Sequence, residues 1–84
     1  MSGLDHEAVL HVVVCIVARV TNRPQPATAM ETMLFELDGL DSLRLLETVA
    51  LAEEHFGVQV DTGGLGQIET VGDIVRLVAS GRRG

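Results

Sequence analysis

The sequence contains no tryptophan, tyrosine or lysine, only two phenylalanines (Phe35 and Phe56), and one cysteine, Cys15. Each shortage closes off a class of function. Without a set of aromatic rings there is no platform on which nucleic-acid bases could stack. Six arginines stand against twelve acids, a net charge of −6, so the basic surface that nucleic acids and anionic membranes require is missing. No nucleic acid and no membrane is expected as a partner; a basic protein fits better. Cys15 has no second cysteine to pair with, and no Cys/His spacing resembles a zinc site. No metal is expected, and Cys15 reads as a small buried apolar residue. The longest apolar run, Ala8–Val20, has thirteen residues interrupted by His11 and Arg19, whereas a bilayer span needs about 20. Asp5 and Glu7 precede it where a signal peptide would carry positive charge. A cytoplasmic location is the expectation.

What is present is a globular composition, 46% apolar and 21% charged over 84 residues, which excludes a wholly disordered chain and suits one small domain. A monomeric domain over residues 1–84 is expected, ordered from about 4 to 80, with a frayed, polar tail at 81–84.

Four segments follow along the chain. From about Leu4 to Val20, apolar residues at Val9, Val13, Ile16, Val17 and Val20 have helical spacing, and Asp5 can cap the start. The β-branched run Val12–Val14 disfavours a helix, but the segment is too long for a strand in so small a domain. Pro24 and Pro26 stop this helix and open a long connection to Leu40. Within it, Met33, Leu34, Phe35 and Leu37 are too apolar for a free loop and should tuck over the core, with a short helical turn from Thr28 to Phe35. Asp41 to Phe56 is the clearest helix: Asp41 caps it, Leu45, Val49, Ala52 and Phe56, joined by Leu46, form its core stripe, and Gly57 ends it. Leu43, Glu47, Ala50 and Glu54 align on a second face, mixed apolar and acidic, that begins beside Ser42. Val58, Gln59 and Val60 are extended. Asp61–Gln67 has three glycines in seven residues, so any helix there is brief. The last helix runs from about Thr70 to Ala79, with Asp73 placed for a capping box. The fold class is therefore all-α, a small antiparallel four-helix bundle of three main helices and one short, glycine-rich third helix.

Conventional catalytic signatures are missing. Ser42 has no G-x-S-x-G around it, the Gly63–Gly66 stretch lacks the lysine of a phosphate-binding loop, and His6, His11 and His55 form neither triad nor metal spacing. A non-catalytic protein is expected. Eight of the twelve acids and a single arginine, Arg44, lie between Glu31 and Asp61, so the middle third carries the acidity. Those charges can simply solvate a surface. A serine at a helix start is a different matter, because a phosphodiester built on it would meet free backbone N–H groups and the positive end of the helix dipole.

The stretch Asp38-Gly39-Leu40-Asp41-Ser42-Leu43, followed by Leu46-Glu47 and by Ala52-Glu53-Glu54-His55-Phe56-Gly57-Val58, resembles the acyl carrier protein family. That family's signature is Asp-Ser-Leu at the start of its second helix, then an acidic, apolar-striped helix ending in Glu-Glu-x-Phe. Ile68-Glu69-Thr70-Val71-Gly72-Asp73-Ile74 resembles the segment that opens its last helix. The similarity covers about Leu37 to Val78, and the first helix agrees in length and position.

The resemblance implies that Ser42, preceded by Asp41, receives a 4′-phosphopantetheine arm from coenzyme A through a phosphopantetheinyl transferase. The arm's thiol would hold an acyl chain as a thioester for acyl-loading, condensing and modifying enzymes. Leu43, Glu47, Ala50, Glu54 and Ile68 match positions that family members offer to partners. Arg44 stands where many fatty-acid carriers have an acid, Ala50 is smaller than the residue often found there, and Gly63–Gly66 replaces a more helix-friendly stretch. These departures favour a freestanding carrier of a polyketide or related natural-product pathway. The alternatives are a freestanding peptidyl or aminoacyl carrier, although Gly39-Leu40 replaces the Gly-Gly pair typical of peptidyl carriers, and, more distantly, an unmodified helical interaction module.

Overall fold

A computed structural model describes residues 4–25 and 28–83. Among the described residues, three α-helices, α1 (His6–Thr21), α2 (Ser42–Phe56) and α3 (Val71–Ala79), supply most of the core, which Leu37 and Val58 complete, and short 3-10 helices occupy Leu34–Glu36 and Thr62–Gln67. Two-residue strands β1 (Val58–Gln59) and β2 (Arg82–Arg83) pair antiparallel, Val58 with Arg83 and Gln59 with Arg82. The glycine-rich third helix of the expected bundle is thus a 3-10 segment, capped by Asp61 through a 3.0 Å bond from the Gly63 N–H.

Helix α1 resolves the conflict between β-branching and periodicity in favour of periodicity. Val9, Val13, Ile16 and Val17 are buried at spacings of four, three and one, and lie against both α2 and α3. Asp5 caps the start, accepting from the Glu7 N–H at 3.2 Å. The end is set before any proline: Asn22 turns left-handed (φ 56) and donates back to the carbonyls of Ala18 and Arg19. Pro26 lies outside the described residues. Cys15 is corrected to an exposed residue, because it sits two positions past Val13 and so on the far side of the helix.

The long connection is fastened rather than loose. Its backbone is laid along the start of α3 by hydrogen bonds from Leu34 N–H to Glu69 (2.8 Å), Val71 N–H to Thr32 (2.9 Å) and Gly72 N–H to Met30 (2.7 Å). Any Cβ at Gly72 would lie 2.8 Å from the Met30 carbonyl oxygen, so the close approach needs glycine there. The helical turn falls at Leu34–Glu36, later and tighter than the expected Thr28–Phe35, and Phe35 points outward instead of covering the core.

In α2, Thr48, Val49 and Ala52 are buried, and Leu45 and Phe56 pack against the core at its edge. Leu46 is corrected from core to surface, at 50% exposed. It lies three residues after exposed Leu43 and is carried round with it. The buried Thr48 hydroxyl is satisfied by the Arg44 carbonyl at 2.8 Å. Helix α3 carries the expected capping box, Thr70 with Asp73, and buries Val71, Ile74, Val75 and Val78. In the tail beyond α3, Arg82 and Arg83 pair with β1; Gly84 lies outside the described residues. Gly81 makes this docking close, since a Cβ there would stand 3.0 Å from the Gln59 carbonyl.

Candidate functional site

The loop that delivers the chain to Ser42 is held from both sides. Leu37 anchors it in the core, and the Leu40 N–H closes a turn onto the Leu37 carbonyl at 3.3 Å. Gly39 follows at φ +81, a conformation that side chains avoid, with Arg23 and Thr21 closing over it. From the end of α1, Arg23 pairs with the Asp38 carboxylate at 3.2 Å, and the Gln25 amide donates to the Asp38 carbonyl at 2.9 Å. The loop then turns into α2 with little freedom.

Asp41 is the N-cap of α2. Its backbone is extended, its Oδ1 accepts from the Arg44 N–H at 2.8 Å, and its carbonyl accepts from the Leu45 N–H at 2.8 Å. Ser42 is therefore the first helical residue, exposed, in a turn whose leading N–H groups have no carbonyl one turn earlier to bond. The positive end of the helix dipole points out beside its hydroxyl.

Leu43, Glu47, Ala50 and Glu54 are all exposed along one side of α2, as their spacing predicts. Glu47 faces Arg44 at 3.7 Å across one turn, so the single arginine of the acidic stretch offsets one acid of this face. Ile68 differs from the other four: it ends the second 3-10 helix, half-buried and packed against the core. The Glu53 side chain turns away from the face, accepting a 2.6 Å bond from the Val60 N–H that ties β1 to the end of α2. His6, His11 and His55 are exposed and scattered. Arg23 and Gln25 were not legible as site residues, because their role depends on a contact thirteen to fifteen positions away.

Residues 11–78 match the family described as "Phosphopantetheine attachment site". A curated acyl carrier protein of Acidothermus cellulolyticus is 31% identical over 78 residues, covering 93% of each chain. The chain belongs to the acyl carrier protein family. A second acyl carrier protein, from Thermotoga maritima, is 46% identical over 48 residues, which span 57% of this chain and 59% of that relative. The fold is similar to the solution structure of a holo acyl carrier protein from Geobacter metallireducens, with a TM-score of 0.69, 26% identity, and coverage of 83% of this chain and 80% of that one. The prosthetic group of an acyl carrier protein of this family is a covalently attached phosphopantetheine. The start of α2 fits such a group chemically: it offers an exposed hydroxyl, unbonded N–H groups and a positive dipole end to a phosphodiester.

Proposed function

We propose that this acyl carrier protein takes its phosphopantetheine on Ser42 and delivers acyl thioesters to the enzymes of a polyketide or related natural-product pathway. The observation that carries this reading is the exposed Ser42 at the head of α2, behind an Asp41 cap and beside an exposed Leu43–Glu47–Ala50–Glu54 face. The Ser42 oxygen would bond to the β-phosphorus of coenzyme A, displacing adenosine 3′,5′-bisphosphate and losing its proton to the transferase or solvent. The bound group supplies a thiol whose thioester is activated for attack at the carbonyl and acidified at the α-carbon. The protein's own residues do the rest. Asp41 and the Asp38–Gly39 turn hold the hydroxyl outward, and the α2 face meets basic partner surfaces, the transferase first and acyl-loading and condensing enzymes afterwards. Arg44 beside the attachment point and the small, exposed Ala50 favour a dedicated pathway over general fatty-acid synthesis, since both lessen the charge and bulk offered to a partner.

Incubation with coenzyme A and a broad-specificity phosphopantetheinyl transferase tests the assignment by mass spectrometry. One arm should appear on the peptide containing Ser42, and Ser42→Ala should stay folded and gain no mass. An arm on Ser80, or on the Ala variant, would refute it. Acyl-loading assays with enzymes encoded beside the gene would then identify the cargo.

A further inference from the structure

We propose that Phe35 is a docking anchor that seats in an apolar, arginine- or lysine-rimmed pocket of the transferase that modifies Ser42; the inference rests on the attachment reading above. The local sequence forces this ring outward. Leu34 and Leu37 stand one 3-10 turn apart and so share a side. Leu37 is buried and Leu34 packs against the core, which leaves Phe35 80% exposed with Glu36 exposed beside it. The turn is not slack. Leu34 donates to Glu69 at 2.8 Å, Glu36 to Met33 at 3.0 Å and Leu37 to Leu34 at 3.1 Å, and Met33 bridges to Thr70. An aromatic ring presented by so fixed a backbone loses little entropy on binding, the property that makes such residues hot spots.

Its position strengthens the case. Among the described residues, the large exposed hydrophobics are Phe35, Leu43, Leu46 and Leu51, and the first three bracket Ser42 along the sequence. In the same stretch of chain Glu36, Asp38, Asp41 and Glu47 are exposed. Asp38 and Glu47 face Arg23 and Arg44, while Glu36 and Asp41 have no ion-pair partner among the described residues. Exposed apolar side chains interspersed with acids call for an apolar pocket with basic groups beside it. The enzyme that joins the arm to Ser42 must bring its own active site to the hydroxyl, whereas enzymes acting at the arm's far end can stand off from this loop. Phe35 precedes Ser42 by seven residues, so it lies at most about 25 Å away. That is within the roughly 30 Å breadth of an ordinary interface of about 800 Å² per partner.

The Ser42→Ala chain accepts no arm under the attachment reading and so reports docking alone. Its Kd for a broad-specificity phosphopantetheinyl transferase, measured by calorimetry with coenzyme A present, should rise about tenfold when Phe35→Ala is added. Phe35→Leu should recover part of the loss, and an unchanged melting temperature shows that the fold is intact. With Ser42 present, Phe35→Ala should raise KM for the carrier and leave kcat nearly unchanged. A Kd that stays within twofold overturns the inference, whatever happens at Ser42. A wild-type chain that binds the transferase but gains no mass at Ser42 overturns the attachment reading instead, and failure of every form to bind overturns both.

Discussion

The side-chain amide of Gln25 donates a 2.9 Å hydrogen bond to the backbone carbonyl of Asp38, joining the segment just past α1 to the loop that leads into Ser42. Arg23 adds an ion pair to the same residue, but both partners are more than half exposed, which limits its worth to less than about 1 kcal/mol. Gln25→Ala should therefore loosen the loop more than Arg23→Ala, at a cost of about 0.5–1.5 kcal/mol. Hydrogen exchange checks this directly: the Leu40 amide should exchange faster in Gln25→Ala while core amides of α3 keep their protection.

Gly72→Ala should be among the most damaging single-methyl changes. The added Cβ would fall 2.8 Å from the Met30 carbonyl oxygen, and that oxygen already accepts the Gly72 N–H. Relieving the clash means lifting the connection off α3, which should cost about 1–3 kcal/mol. Urea denaturation measures it, and a midpoint equal to wild type would show that the connection yields freely.

The two faces of α2 separate cleanly by stability. Phe56 packs at the core edge with its ring edge-on to His55 (centroids 4.8 Å apart), and Phe56→Ala should cost about 2–4 kcal/mol. Leu46→Ala, at a side chain half in water, should stay below about 1 kcal/mol. Equal melting temperatures for the two variants would mean that the helix is rotated from the position described.

Asp73 gives the fold a defined acid response. Its carboxylate accepts from the Glu69 N–H, the Arg76 guanidinium and the Thr70 N–H, which together hold it well below the usual carboxylate range. A lowered folded-state value stabilises the protein fully above the ordinary pKa of about 3.9, and the contribution fades as pH falls toward the folded value. Wild type should therefore be more stable than Asp73→Asn by a constant margin between about pH 5 and 7, narrowing below about pH 4. Melting curves across that range test it, and a margin that widens in acid would contradict the assignment.

Reversing Glu47 and Glu54 to lysine should hardly change stability, since both are exposed. Modification of the carrier should nevertheless slow, through an association rate that falls with salt in the wild type and loses that dependence in the variant. Glu47→Lys also stands Lys beside Arg44, now 3.7 Å from the native carboxylate, so this position should matter more than Glu54. Stopped-flow kinetics at two ionic strengths distinguish a docking face from a merely solvated one.

Helix α2, its Asp41 cap, the exposed Ser42 and the Thr70–Asp73 box could be read directly from the residues, because caps and periodic stripes are local features. Leu46 was misplaced because a stripe at helical spacing widens easily by one position, and only packing decides which edge residue is covered. The Arg82–Arg83 pairing escaped because its partner, Val58–Gln59, lies more than twenty residues back and both strands are too short to show alternation. Phe35 escaped for a related reason: a 3-10 period places Leu34 and Leu37 together, whereas a looser reading of an apolar cluster buries all its members.

The outward placement of Cys15 bears on how loading is counted. A carrier with a buried cysteine would present a single reactive sulfur, the one on the arm. Here a thiol-specific reagent can reach the side chain on α1 as well. The unloaded chain should titrate with one equivalent and the armed chain with two, and an acylated arm returns the count to one. Dimers that form in air through Cys15 would be reversible by reductant and independent of the carrier's loading, so a Cys15→Ser background gives the unambiguous readout.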